Sequence, residues 1–156
     1  MGIISAISRQ GASMINNSNF MGKIYRVLKS DATLIDGSHL ESADNIIPSP
    51  KAPDQKSNPT LTIAGSRVIN EAEVERWRLI LNTYVDNYKD GTANLLKLGT
   101  ITDRIFDVLN DASITITGGR IFSVYMDSDM GILFDNQHSE EHYQSLLFTL
   151  LATEIT

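Results

Sequence analysis

The chain has no cysteine, so disulfides, thiol catalysis and cysteine-based zinc sites are excluded, and the fold must rest on packing alone. It has no apolar run near the roughly 20 residues needed to span a bilayer. The N-terminal residues carry neither a basic n-region nor a signal-like hydrophobic block, so a soluble protein of a reducing compartment is expected. Basic residues are outnumbered, 13 Lys and Arg against 19 Asp and Glu, giving a net charge of -6. That balance argues against nucleic-acid recognition, which needs a basic patch to displace counterions from phosphates. Proline is scarce too, and all four, Pro48, Pro50, Pro53 and Pro59, fall in one window. What remains is ordinary for a globular protein: 156 residues with 42% hydrophobic content, enough for one domain with a real core.

The organising stretch is Val74 to Leu151. Trp77, Leu79, Leu81 and Val85 alternate with Arg78, Asn82 and Asp86, the period-two pattern of a half-buried strand. After a turn at Asn87 to Gly91 the spacing becomes helical. Leu95, Leu98, Ile101, Ile105 and Leu109 recur every three or four residues, with Lys97, Asp103 and Asp107 off that line. Asp90 or Thr92 is the expected N-cap and Asn110-Asp111 the stop. Ile114 to Ile116 and Ile121 to Tyr125 read as strands on either side of Gly118-Gly119, which suits a hairpin turn or a bulge. Asp127 to Asp135 reads as a loop ending in the short apolar run Ile132 to Phe134. Tyr143 to Leu151 reads as a last strand, with Tyr143, Ser145, Leu147, Thr149 and Leu151 on one face and Leu146, Phe148 and Leu150 on the other; its leucines also fit helical spacing.

Ahead of this stretch, residues 1–17 form an N-terminal arm in which Ile3, Ile4, Ile7, Met14 and Ile15 mix with Ser, Asn and Gly. The arm is too apolar for a typical disordered tail and too irregular for a stable helix, so it needs a neighbour. A myristoylation motif at Gly2 fails, because position 6 is Ala6 rather than Ser or Thr. The single domain then runs over 18–156. Phe20, Ile24, Val27 and Leu28 share a helical face, with Ser18 or Asn19 as N-cap and an end near Asp31. Residues 46–60 form a long proline-rich loop between short strands at Ile46-Ile47 and Leu61 to Ile63. It is either a variable connector or a subunit contact.

No catalytic constellation emerges. His138-Ser-Glu-Glu-His142 lacks the Glu that must follow the first His of a metalloprotease helix, since Ser139 stands there. Asp127-Ser-Asp129 opens like a calcium loop, but Gly131 occupies the fifth position, where an oxygen ligand belongs. No phosphate-cradling glycine motif or nucleophile elbow is present, and only His39, His138 and His142 are available as bases. Trp77 reads as a core or subunit-interface anchor. An enzyme is not expected, and neither is a cofactor or a metal.

The order of elements resembles the tail terminator, or tail-completion, proteins of long-tailed bacteriophages. The resemblance covers about Gly22 to Thr153. It rests on Ile24-Tyr-Arg-Val-Leu-Lys-Ser-Asp-Ala-Thr-Leu34 as a first helix running into a short loop, then on Ile46-Ile-Pro-Ser-Pro50 and Pro59-Thr-Leu-Thr-Ile63 as an extended pair. Trp77 to Asp86 follows as the central strand, Leu95 to Leu109 as the helix containing Ile101-Thr-Asp-Arg-Ile105, and Ile121 to Tyr125 and Tyr143 to Leu151 as closing strands.

What the resemblance implies is an α+β fold: a mixed, mostly antiparallel sheet with two main helices packed on one side, in a ring-forming subunit. A hexameric ring at the head-proximal end of the tail would terminate the tail tube and join tail to head. Its partners would be further copies of the chain, the tail tube protein and head-tail connector proteins, with no direct nucleic-acid specificity and no membrane. The expected place is the virion, after assembly in the host cytoplasm. A ring needs heterologous contacts, expected along the N-terminal arm, the proline loop and the exposed side of the central strand, at Ile3, Ile7, Ile15, Ile47, Pro50, Pro53 and Arg78. The alternatives are another neck protein, a head-closure or tail-adaptor subunit, or a small metal-dependent hydrolase using His138, His142 and Glu140-Glu141.

Overall fold

The computed structural model describes residues 17–48, 59–68, 75–116, 120–135 and 140–152. Alternation of apolar and polar side chains makes β3 (Arg76–Asp86) the central strand, with Trp77, Leu79, Leu81, Thr83 and Val85 buried on one face. Its neighbours are β2 (Thr60–Val68) and β6 (Glu141–Ala152), both antiparallel to it. β5 (Arg120–Phe134) and β4 (Ser113–Ile116) continue the sheet on one side, and the two-residue β1 (Ile46–Ile47) closes the other, giving the order β1-β2-β3-β6-β5-β4. Among the described residues only β1 and β2 pair in parallel. The fold is a single α+β domain with a mixed, mostly antiparallel six-stranded sheet, as expected. Register carries the buried face across the sheet: Trp77 lies opposite Leu150, Leu79 opposite Phe148 and Leu81 opposite Leu146.

Two helices among the described residues cover that face. Helix α1 (Asn17–Lys29) buries Phe20, Met21, Ile24 and Leu28, and the Phe20 ring stacks on Trp77 and meets Phe122 edge-on. Helix α2 (Leu95–Leu109) buries Leu98, Ile101, Thr102, Ile105 and Leu109. Thr102 Oγ1 reaches Gln144 on β6 at 3.3 Å. Asp31, in the turn after α1, accepts two hydrogen bonds from the Arg104 guanidinium of α2, at 3.0 and 2.7 Å. This pair holds the Asp31 carboxyl below its ordinary range, helped by the Leu34 N–H.

Several local expectations are corrected. Helix α1 already includes Asn17, so Ser18 and Asn19 sit in its first turn and are not its N-cap; the Asn17 side-chain amide donates to the Gly65 carbonyl at 2.7 Å. The N-cap of α2 is Asn94, which accepts from the Lys97 N–H at 3.1 Å. Asp90 instead accepts from both the N–H and the hydroxyl of Thr92, closing a turn around Gly91 at φ 87°. Its other end is Asn110, as expected, and the Asn110 side-chain oxygen accepts from the Met126 N–H. Asp127 to Asp135 is not a loop, because β5 runs through to Phe134 with irregularities at Met126/Ser128 and Asp129/Ile132. The Asp127 carboxylate accepts from Thr149 and that of Asp129 from Gln144, so the acidic side chains are held across to β6. Gly131 sits in the second bulge at φ 82°, a conformation that favours glycine. Gly118-Gly119 lies outside the described residues; Ile116 on β4 pairs with Arg120 on β5.

Candidate interaction surface

The helices leave the second face of the sheet uncovered among the described residues. Pairing places Arg78 with Thr149, Ile80 with Leu147, Asn82 with Ser145 and Tyr84 with Tyr143 on that face. The two tyrosine rings stack with centroids 5.0 Å apart, and burial pushes the Tyr84 hydroxyl above its ordinary range. Asn82 Oδ1 is buried beside them with no hydrogen-bond partner among the described residues. A buried acceptor left unpaired is unfavourable until a donor reaches it.

Two of the expected contact residues lie on this face. Arg78 is exposed near the start of β3. Ile47 is half-buried and pairs with Thr62, which in turn pairs with Asn82. Four residues of β3, about 13 Å of strand, separate the level of Arg78 from that of Asn82. Ile47 and Arg78 therefore share a face without touching. Ile3, Ile7, Ile15, Pro50 and Pro53 lie outside the described residues.

Sequence reasoning missed a cluster of exposed apolar side chains at the opposite end of the sheet. Val85 at the end of β3 pairs with His142 at the start of β6, and His142 pairs with Phe134 at the end of β5. The Phe134 ring is 51% exposed and meets His142 edge-on at 5.6 Å. His142 Nδ1 lies 2.6 Å from the Asn87 side-chain oxygen, which anchors the connection to α2 at this end. Met130 and Ile132 stand beside Phe134 on β5, at 57% and 37% exposed. Tyr88 follows Asn87 directly and is also exposed. Leu96 is 77% exposed and Leu95 61%, in the first turn of α2, although Leu95 continues the helix's apolar line in sequence. Large apolar side chains gathered at one end of a domain mark a contact surface.

The geometry gives little support to hydrolytic chemistry. Glu141 is buried and His142 follows it on a strand, so their side chains leave the sheet on opposite faces. His138 and Ser139 lie outside the described residues. Among the described residues, no group of three or more His, Asp or Glu is placed to hold a metal ion. No helix among them is long and apolar enough to cross a membrane.

No family model matches the chain, and no curated protein matches it. Among solved structures, the chain is similar to a chain of the virion of a native gene transfer agent particle. The TM-score is 0.65 at 12% identity, and the match covers 86% of this chain and 95% of that one. At that identity, the likeness is one of fold.

Proposed function

We propose that this chain is a structural virion protein of a bacteriophage tail, a subunit of a hexameric ring that ends the tail tube and joins tail to head. The observation that carries the proposal is the fold match: a chain built into a gene transfer agent virion is similar over 95% of its length and 86% of this chain. The order of elements from about Gly22 to Thr153, which resembles that of the tail terminators, supports the finer position. The apolar end at Phe134, Ile132 and Leu96 adds a surface suited to burial in an assembly rather than to a free monomer.

In this reading the chain works by shape. Copies of it form a ring through heterologous contacts, to which Ile3, Ile7 and Ile15 of the arm, Ile47, Pro50 and Pro53 of the proline loop, and Arg78 are proposed to contribute. One side of the ring meets the last turn of tail tube protein, and the other meets the head's connector proteins. Neither catalysis nor a cofactor is part of the role, and the place of action is the head-proximal end of the tail, after assembly in the host cytoplasm.

The test is to add the purified chain to polymerising tail tube protein and record tube length by electron microscopy. Tubes that stop at a uniform length with the chain at one end support the terminator position. Tubes that grow unchanged, with the chain binding the head connector instead, indicate another neck position, a head-closure or tail-adaptor subunit.

A further inference from the structure

Helix α2 has two unlike flanks. Lys97 and Arg104 lie on one, where they pair with Glu41 and Asp31 of the segment after α1. At 3.6 residues per turn, Leu95, Gly99 and Phe106 lie on the other, with Thr102 between that flank and the core. This second flank faces β5: Thr102 Oγ1 reaches Gln144 Oε1 at 3.3 Å, and Gln144 Nε2 donates to Asp129 on β5 at 2.8 Å. Residues directly opposite in a strand pair share a face of the sheet. Ile132, opposite Gln144, and Phe134, opposite His142, therefore stand on the helix side of β5. Helix α2 forms the wall and β5 the floor of a groove lined by Leu95, Phe106, Ile132 and Phe134, all of them exposed. A Cβ built on Gly99, partway along the wall, meets nothing within 4 Å. Exposed large apolar side chains gathered in this way mark a contact surface.

We propose that this groove receives the N-terminal arm of a neighbouring copy, with Ile3, Ile4 and Ile7 against its apolar lining. This deepens the ring reading above, on which it rests, by naming where the arm goes. Length fits: at 1.5 Å per residue the wall from Leu95 to Phe106 runs about 16 Å, and Ile3 to Ile7 spans about 13 Å when extended. Charge fits as well. Arg9 is the one charged side chain in residues 1–16, and residues 121–135 contain neither lysine nor arginine. The groove is instead bordered by exposed acids, Asp103 and Asp107 on α2 and Asp129 on β5, so a weakly basic apolar segment is matched to it and an acidic one is not.

The path of the chain favours a neighbour's arm over the copy's own. The arm leaves the domain over β2, where the Asn17 side-chain amide donates to the Gly65 carbonyl. The groove lies over β5, three strands away in the order β2-β3-β6-β5, and helices α1 and α2 stand on the face between. Ile7 precedes Asn17 by ten residues, at most about 36 Å of extended chain. That length crosses from one copy to the next where the β2 side of one meets the β5 side of its neighbour. Arm and groove are different patches, so the contact is heterologous and closes into a ring when the rotation allows.

The absence of cysteine makes the test direct. Ser8→Cys in the arm and Gly99→Cys in the groove wall are made singly and together in the full chain. Folding is checked by circular dichroism, and the proteins are treated with a short bismaleimide. The proposal predicts covalent dimers when the two single variants are mixed, none from either alone, and a ladder of linked chains from the double variant. Adding Ile132→Lys to the Gly99→Cys chain should weaken the mixed coupling at least tenfold. A double variant that links only within one chain places the arm in its own groove and overturns the proposal, as does a mixture that fails to couple. Light scattering on the untreated samples separates this contact from the ring. A six-chain mass without coupling between copies sinks the arm contact and leaves the ring. Coupling between copies in species of any other mass sinks the ring and leaves the arm contact, whereas a monomer that never couples sinks both.

Discussion

Phe20 of α1 lies flat on Trp77 of β3, with ring centroids 4.0 Å apart and planes 9° from parallel. Both rings are buried, and through this stack the first helix is fixed to the central strand. Phe20→Ala removes the stack and the edge contact to Phe122, leaving a cavity between α1 and the sheet. We predict a loss of about 3–5 kcal/mol, read as a lower urea midpoint with an unchanged slope. A loss below about 1 kcal/mol would mean that this stack does not anchor the helix.

Gly65 lies on the same contact from the β2 side. A Cβ placed there would stand 2.9 Å from Phe20 Cε1 and 3.0 Å from Met21 Sδ. The ring is held against Trp77 and cannot give way cheaply. Gly65→Ala is therefore predicted to destabilise by about 1–3 kcal/mol through overpacking, although alanine suits a strand better than glycine does. A thermal scan showing equal or higher stability would contradict the close approach.

The Asp31–Arg104 pair makes a prediction about pH. The Arg104 guanidinium lowers the folded-state pKa of Asp31 below its ordinary value of 3.8. The pair's stabilisation is therefore fully present above that value and is lost as pH falls through the lower folded-state value, where the carboxyl is protonated in both states. Asp31→Asn should be less stable than the parent near neutral pH, and the gap should close on acidification below about 3.8. Urea midpoints measured across that range check it; a gap independent of pH would place the effect elsewhere.

Much of this fold was legible in the sequence, and the parts that were not share a cause. Strand β3 declared itself because one of its faces is fully buried, so that Trp77, Leu79 and Leu81 had to alternate with residues on the uncovered side. Leu95 was misplaced because spacing records which way a side chain points around a helix, while its exposure comes from the first turn lying at the end of the core. Asp127 to Gly131 has the composition of a loop, yet its acids find partners on β6, 15 and 22 residues away in the chain. The apolar end was invisible for the same reason: Phe134, His142 and Val85 meet only through strand pairing.

The apolar end should matter to assembly and not to folding. Leu96→Asp and Phe134→Ser replace exposed side chains, so each is predicted to change stability by no more than about 0.5 kcal/mol. Either change should lower the association of the chain with itself or with tube protein at least tenfold, measured by sedimentation. Variants that assemble normally would show that this end faces solvent in the particle.

The most direct measurement of the central claim is the mass of the purified full chain by light scattering across a range of concentrations. The account predicts a species of six times the 17.3 kDa of one chain, stable on dilution or formed when tube protein is added. A mass of 17.3 kDa at every concentration, with and without tube protein, would contradict it.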